Sequence, residues 1–383
     1  MVASTGEPLA YAQSDEAFRQ RIRFFDSVLR AWLDRPGVTL ACGRWESAGL
    51  AEFVLNGNAE VLASPYGACF AGVREIRIGG TRHHLHVDFG RIHAVEYTIS
   101  PCVCFGQRPS FEVRFLLEGS GGRPTGDWAM SLMITQPYAG DSLLRDEVAW
   151  FVRTALRHLD DAPTFVSLKY VPGPGPNEDL RAFVREIAGD EIGAAPDLSA
   201  AFVALQQRKR GRSGGGRAAP QEPLCIGLLN EALRLAEASL VIYRHQLLVE
   251  FQTDKLSDVQ AYEEAGYVSW QIGALSEHHC HLALTRVARC LFSAERVPCQ
   301  QSRLNFTLWF LVDGDCGNPY RRDGYFSVVL NAPYEGTRLR REIVDPMFDL
   351  YRRFRTEAWV GADAAFLEAE DVLLNDRNTS CRG

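Results

Sequence analysis

The sequence contains no CxxC pair, although it holds ten cysteines, and Cys102 with Cys104 is the one close spacing. That excludes a zinc ribbon or a thioredoxin-type motif. Most of the thiols are expected to act as small buried hydrophobes in a reducing, bacterial-type cytoplasm. Basic charge is not in excess: 41 Lys and Arg stand against 48 Asp and Glu, a formal net charge of -7. A whole-molecule grip on nucleic acid or anionic lipid is thereby excluded, because such binding needs a basic surface. No stretch approaches the ~20 apolar residues of a membrane span. The first twenty residues lack the basic segment and apolar run of a secretory signal. HExxH and a P-loop lysine are both missing, and the glycine-rich "GSGGRPTG" at 119 lacks the Lys-Ser/Thr ending of a phosphate cradle.

What is present is histidine in an unusual pattern. Four of the nine histidines fall in "GGTRHHLHVDFGRIHAVEY" (79–97), and "LSEHHCHLALTRVARCLF" (275–292) repeats the arrangement at an offset of 195. The offset continues beyond them, as a duplicated unit predicts. In 111–117 the apolar residues Phe111, Val113, Phe115 and Leu117 alternate; Phe306, Leu308, Phe310 and Val312 do the same in register. Alternation of this kind predicts half-buried strands. Pro137-Tyr138 and Pro333-Tyr334 mark equivalent turns, after which the period changes to that of an amphipathic helix. Asp141 and Ser142 stand as candidate caps of the first such helix, and a cap at Asn177 opens a helical segment over 177–207. Residues 15–34 predict another amphipathic helix. At 383 residues the chain exceeds the ~250 at which single cores stop growing, so two units are expected.

Between the halves, 208–223 combines three consecutive glycines, two prolines and five basic residues, a flexible linker. Its alternative is local binding of an acidic partner by Arg208, Lys209, Arg210, Arg212 and Arg217. The organisation expected is an N-terminal helix (1–36), a first repeat (37–170), a helical segment with a Gly/Arg-rich linker (171–222) and a second repeat (223–383). The fold class is α+β, each repeat an antiparallel strand meander closed by a C-terminal helix.

On a strand alternate residues face opposite sides, so His83, Leu85, Val87 and Phe89 share one face and His84, His86 and Asp88 the other. In the second half His278, Cys280, Leu282 and Leu284 oppose His279, His281 and Thr285. Two imidazoles at i, i+2 reach one metal ion, which makes His84, His86, His279 and His281 candidate ligands. The alternative is a solvent-facing strand without a ligand. A cupin-type glutamate is absent after either pair; His93 or Glu96 would complete a site in the first half only. His158, late in a helix, is placed to complement the helix dipole. His245 is either a buried hydrogen-bonded histidine or an axial ligand. Trp270, Trp309, Tyr325 and Phe326 are core residues, or a wall for a flat ligand.

The second half, "YVSWQIGALSEHHCHLALTRVARCLF" with "RLNFTLWFLVDGDCG", resembles the HemS/ChuX-like haem-utilisation family in its tandem form. Trp270, His281 and the run Val287 to Phe292 fall on the family's aromatic, its histidine strand and its following apolar strand, and the helix from Thr337 is similar to its closing helix. "HHLHVDFGRIHAVEY" and "FEVRFLLEG" match the same pattern in the first half. The resemblance implies two antiparallel sheets with helices and a cytoplasmic function in haem trafficking, utilisation or degradation. Its ligand would be haem or a related planar molecule, without nucleic acid or membrane partners and with a homodimer left open. It points to His86 and His281 as iron ligands, with His84 and His279 beside them, and to Arg82, Arg286 and Arg289 as propionate partners. The family takes its axial histidine from a helix before the second sheet, whereas 177–240 contains no histidine, and His245 is the nearest substitute. The other two readings are an enzyme using a single transition-metal ion on a small molecule, and a non-catalytic interaction protein that kept the fold.

Overall fold

The computed structural model describes residues 16–43, 49–63, 72–79, 83–102, 105, 108–117, 128–171, 178–189, 193–194, 222–244, 247–264, 267–273, 278–297, 303–312 and 325–380. The first half begins with helix α1 (Glu16–Leu33) and the strands β1 (Pro36–Gly43), β2 (Gly49–Asn56), β3 (Ala59–Ala63), β4 (Val73–Ile78) and β5 (His84–Asp88). A 3-10 turn (Phe89–Arg91) leads to β6 (Ile92–Pro101), β7 (Pro109–Leu117), β8 (Trp128–Ile134) and a small hairpin, β9 (Tyr138–Ala139) with β10 (Ser142–Leu143). Then come α2 (Arg145–Asp161), β11 (Val166–Tyr170), α3 (Glu178–Ala188) and β12 (Gly193–Ala194).

The second half repeats the series. It opens with α4 (Ile226–Ala232), β13 (Ala238–Arg244), β14 (Leu247–Gln252), β15 (Gln260–Glu264), β16 (Tyr267–Gly273) and β17 (His279–Leu282). After a 3-10 turn at Leu284–Arg286 follow β18 (Val287–Val297), β19 (Arg303–Val312), β20 (Tyr325–Leu330), the hairpin β21 (Tyr334–Glu335) and β22 (Arg338–Leu339), α5 (Arg341–Phe354), β23 (Val360–Ala362) and α6 (Ala364–Ser380).

The halves do not keep their strands to themselves. One sheet runs β12-β11-β6-β7-β8-β1-β2-β17-β16-β15, the other β23-β18-β19-β20-β13-β14-β5-β4-β3. Three strands of each half therefore complete the sheet of the other. In the first half the switch of sheets occurs between Asn56 and Ala59, where Gly57 takes a φ of 71°, a left-handed corner that a side chain would strain. The two seams are antiparallel: His279 to Leu282 pair with Glu52 to Gly49, and His84 to Val87 with Glu250 to Leu247.

The sheets also depart from pure antiparallel pairing, because β11 lies parallel to β6 and β23 parallel to β18. Each arrives after a crossing helix, which reverses the chain before it rejoins the sheet. Neither half ends at its helix, as α2 is followed by β11 and α5 by β23 and α6. The helices also start later than the sequence suggests. Ser142 belongs to the β9–β10 hairpin, and Leu144 stands at the helix start without a side-chain cap. Asp146 and Glu147 complement the first-turn amides of α2 instead. Thr337 likewise precedes β22, and α5 begins at Arg341. Asn177 and 195–221 lie outside the described residues.

Alternation in β7 does produce the expected face, with Phe111, Val113 and Phe115 buried. Phe25 of α1 meets Phe89 and Phe115, while Phe151 of α2 meets Tyr97 and Phe111, so both helices cover this sheet. Phe348 of α5 and Phe366 of α6 cover the other through Phe306 and Phe292. Where the sheets approach each other, Phe53 of β2 stacks on Phe251 of β14 at 4.7 Å between centroids. His83 and His278 meet beside that stack at 5.4 Å.

Candidate functional site

The central pair and the strand pairs are different sites, because successive side chains leave a strand on opposite faces. His83 is buried in the core, and its Nδ1 accepts the Gln252 backbone amide at 3.1 Å. His84 and His86 point the other way and are half-buried. On β17, Cys280 and Leu282 take the inner face and His279 and His281 the outer. The outer face was expected to be the less covered one. Here both faces are buried, leaving His279 and His281 only 4% and 3% exposed.

A glutamate faces each histidine pair, and it comes from the opposite half. Glu52 lies directly across from His279, and Glu250 directly across from His84. Glu52 Oε2 is 3.1 Å from His279 Nε2 and 3.5 Å from His281 Nε2. In the other seam His84 Nε2 is 3.6 Å from Glu250 Oε2. The rings of the two pairs are disposed alike, with centroids 5.1 Å apart and near-perpendicular planes in both. In each group one donor atom from every residue lies within 4.8 Å of the other two.

The surroundings differ. Burial would push the Glu52 carboxyl up, but hydrogen bonds from His279 and His281, and their charges, outweigh it and hold the group at about 2. Burial raises Glu250, and the neighbouring Glu75 adds to the rise against the opposing pull of His84. His86 is lowered to about 4, first by burial and then by His84. Across from His86 stands Glu75, ion-paired with Arg77 at 2.5 Å; across from His281 stands Gln271.

The remaining candidates fall elsewhere. Arg286 and Arg289 are exposed, and the Arg289 guanidinium lies over Gly361 of β23. Arg82 and His245 lie outside the described residues. Glu96 does not complete a site with His84 and His86: it is buried on β6 in ion pairs with Lys169 and Arg114, and His93 joins neither cluster. His158 is not a dipole-complementing cation. It is 4% exposed, bonded through Nδ1 to Tyr97 Oη at 2.6 Å, and lowered to about 4 chiefly by burial. Glu52 and Glu250 were not among the sequence candidates. The signal for them is the pair "LAEF" (50–53) and "LVEF" (248–251), the glutamate beside the phenylalanine that stacks at the centre.

A haem site needs an imidazole facing an open, flat apolar wall. The β17 histidines do not fit, since both are buried and turned onto one carboxylate oxygen. A cleft of about 430 Å³ between α1 and β3 is lined by Arg30, Leu33, Asp34 and residues 59–62, without a histidine or an aromatic ring. No helix among the described residues is long and apolar enough to cross a membrane.

No protein-family model matches the chain, and no curated protein matches it by sequence. Among solved structures it is similar to the haem-degrading enzyme ChuS of Escherichia coli O157:H7, at 11% identity over 85% of this chain and 84% of that one, with a TM-score of 0.43. A second structure, of ChuS as an E. coli haem oxygenase, matches at 12% identity over 85% and 86% of the chains, TM-score 0.44. Holo-PhuS, a haem-binding protein from Pseudomonas aeruginosa, matches at 11% identity over 84% and 83%, TM-score 0.42.

Proposed function

We propose that this chain binds haem, or a planar ligand of that class, for trafficking, utilisation or degradation in the cytoplasm. The observation that supports the reading is the double occurrence of the segment that carries the family resemblance. In each half a histidine strand, β5 or β17, passes through a 3-10 turn into a long strand of the opposite sheet, β6 or β18. Trp270 stands on the strand beside β17, directly across from Leu282. Within this reading the buried pair His279 and His281 is not the iron ligand, and His245, which the sequence places between β13 and β14, takes that part. Arg82 is the propionate partner nearest the histidine strand in sequence, with Arg286 and Arg289 equivalent in role after β17.

Haemin titration of the purified chain, followed by absorbance, tests it. A saturable Soret band is expected that persists in His281→Ala and is lost in His245→Ala, with far-UV circular dichroism confirming that both variants fold. A protein that gives no haem-dependent Soret change would remove the proposal. A band lost with His281 and kept without His245 would return the iron to β17.

A further inference from the structure

We infer that the two strand histidine pairs are the ligands of two bound divalent transition-metal ions. One ion is held by Glu52, His279 and His281, the other by His84, His86 and Glu250. Each site draws its imidazoles from one half of the chain and its carboxylate from the other.

The spacing of the donor atoms carries the inference. Ligands about 2.0–2.2 Å from one zinc-like ion lie roughly 3.0–3.5 Å from each other in tetrahedral or octahedral geometry. Glu52 Oε2 stands 3.1 and 3.5 Å from the two imidazole nitrogens of its cluster, and Glu250 Oε2 stands 3.6 Å from His84 Nε2. In the Glu52 cluster these separations are those of donors already gathered around a common point; in the other cluster the donors stand slightly wider, all within 4.8 Å of one another. A simple hydrogen bond between histidine and glutamate would need one imidazole; each cluster brings two, with the same perpendicular ring geometry.

The strand register explains how one arrangement arises twice. The i, i+2 spacing sets both imidazoles on one face, and the glutamate directly across from the first histidine is diagonal to the second. That relation holds at His279 with Glu52 and at His84 with Glu250, in two different sheets. Two nitrogens and one carboxylate oxygen select zinc, iron, cobalt or manganese over calcium and magnesium, which prefer all-oxygen sites, and over the soft copper(I) ion. Because each ion would bridge a seam between the halves, its binding also stabilises the exchanged strands by mass action.

Chelator-treated full-length protein, without haem, is titrated with cobalt(II) and followed by its visible absorbance, with zinc competition by calorimetry. Two ions per chain are expected, with a rise in melting temperature on loading. Glu52→Gln and His281→Asn each should remove one ion, Glu250→Gln and His86→Asn the other, with at least a tenfold loss of affinity at the altered site. Melting of the chelated variants shows that they remain folded, and the two glutamine variants keep the test valid if a histidine variant does not. Fewer than two ions per folded chain, or a stoichiometry unchanged by all four substitutions, would overturn the inference. The haem titration reads a different band and stands or falls separately.

Discussion

The histidine pairs of β17 and β5 are set in one register against a glutamate of the opposite half, yet their settings are unlike. At β17 the imidazoles are buried, Glu52 is held ionised by them, and the next strand offers neutral Gln271. At β5 the imidazoles are half-buried, Glu250 is pushed up, and the next strand offers a second carboxylate, Glu75, with Arg77 upon it. Identical backbone pairing thus supports one closed, charge-compensated cluster and one open, carboxylate-rich cluster. The register positions the donors. Neighbouring strands decide how tightly and in which charge state they are held.

The sharpest way to break the contrast is at the seams. Gly49 faces Leu282, and a Cβ there would come within 2.8 Å of the His281 carbonyl oxygen and 2.9 Å of a Leu282 methyl. The equivalent residue in the other seam, Leu247, is buried and pairs with Val87 without such a restriction. A backbone oxygen cannot rotate aside, so Gly49→Leu is expected to drive β17 from β2 at a cost of about 3 kcal/mol or more. Leu247→Ala should cost about 2–4 kcal/mol by leaving a cavity, with its seam intact. Denaturant unfolding gives both values, and cobalt stoichiometry separates them: only Gly49→Leu should abolish the β17 site. A Gly49→Leu protein with wild-type stability would show that the seam is not closely packed.

A second comparison concerns charge alone. In chelated protein at neutral pH, Glu52→Gln should destabilise by about 1–3 kcal/mol, since two buried imidazoles lose their ionised partner. Glu250→Gln should be neutral or stabilising, because it relieves the repulsion with buried Glu75. Equal losses in the two variants, measured by the same unfolding transitions, would mean that the clusters are electrostatically equivalent.

Much of this was written in the sequence. Alternation placed β7 and β19, the helical period placed α1, and the offset of 195 aligned the histidine strands, because each rests on short-range periodicity. Beyond short range, the reading fails in a specific way. Glu52 and Glu250 lie about thirty positions from the strand histidines of their own half, and they join those of the other half only because three strands are exchanged. No local pattern encodes an exchange of that kind; the Gly57 corner that permits it looks like an ordinary turn. The parallel strands β11 and β23 were missed for a related reason: at five and three residues they are too short to show a period and are fixed by the sheet edge they join.

The smallest expected effect separates the layers under the helices. Tyr97 and His158 in the first half correspond to Phe292 and Phe354 in the second, at offsets of 195 and 196. Trp32 Nε1 donates to Tyr97 Oη at 3.4 Å, and Tyr97 Oη and His158 Nδ1 share a hydrogen bond of 2.6 Å. Burial lowers the imidazole from 6.5 to about 4, which leaves it neutral at pH 7. A histidine depressed in the folded state binds fewer protons there than in the unfolded chain between those two values, so its stability contribution is present above pH 6.5 and is lost as pH falls toward 4. The slope is at most about 1.4 kcal/mol per pH unit and is reduced by partial solvent screening. The double variant Tyr97→Phe with His158→Phe gives the first half the apolar pair of the second. Comparing unfolding free energies at pH 7 and near pH 5, the wild type should lose about 1 kcal/mol more than the variant. Parallel losses in the two proteins would show that His158 is protonated in the folded chain and that the two helix-covered cores respond to acid alike.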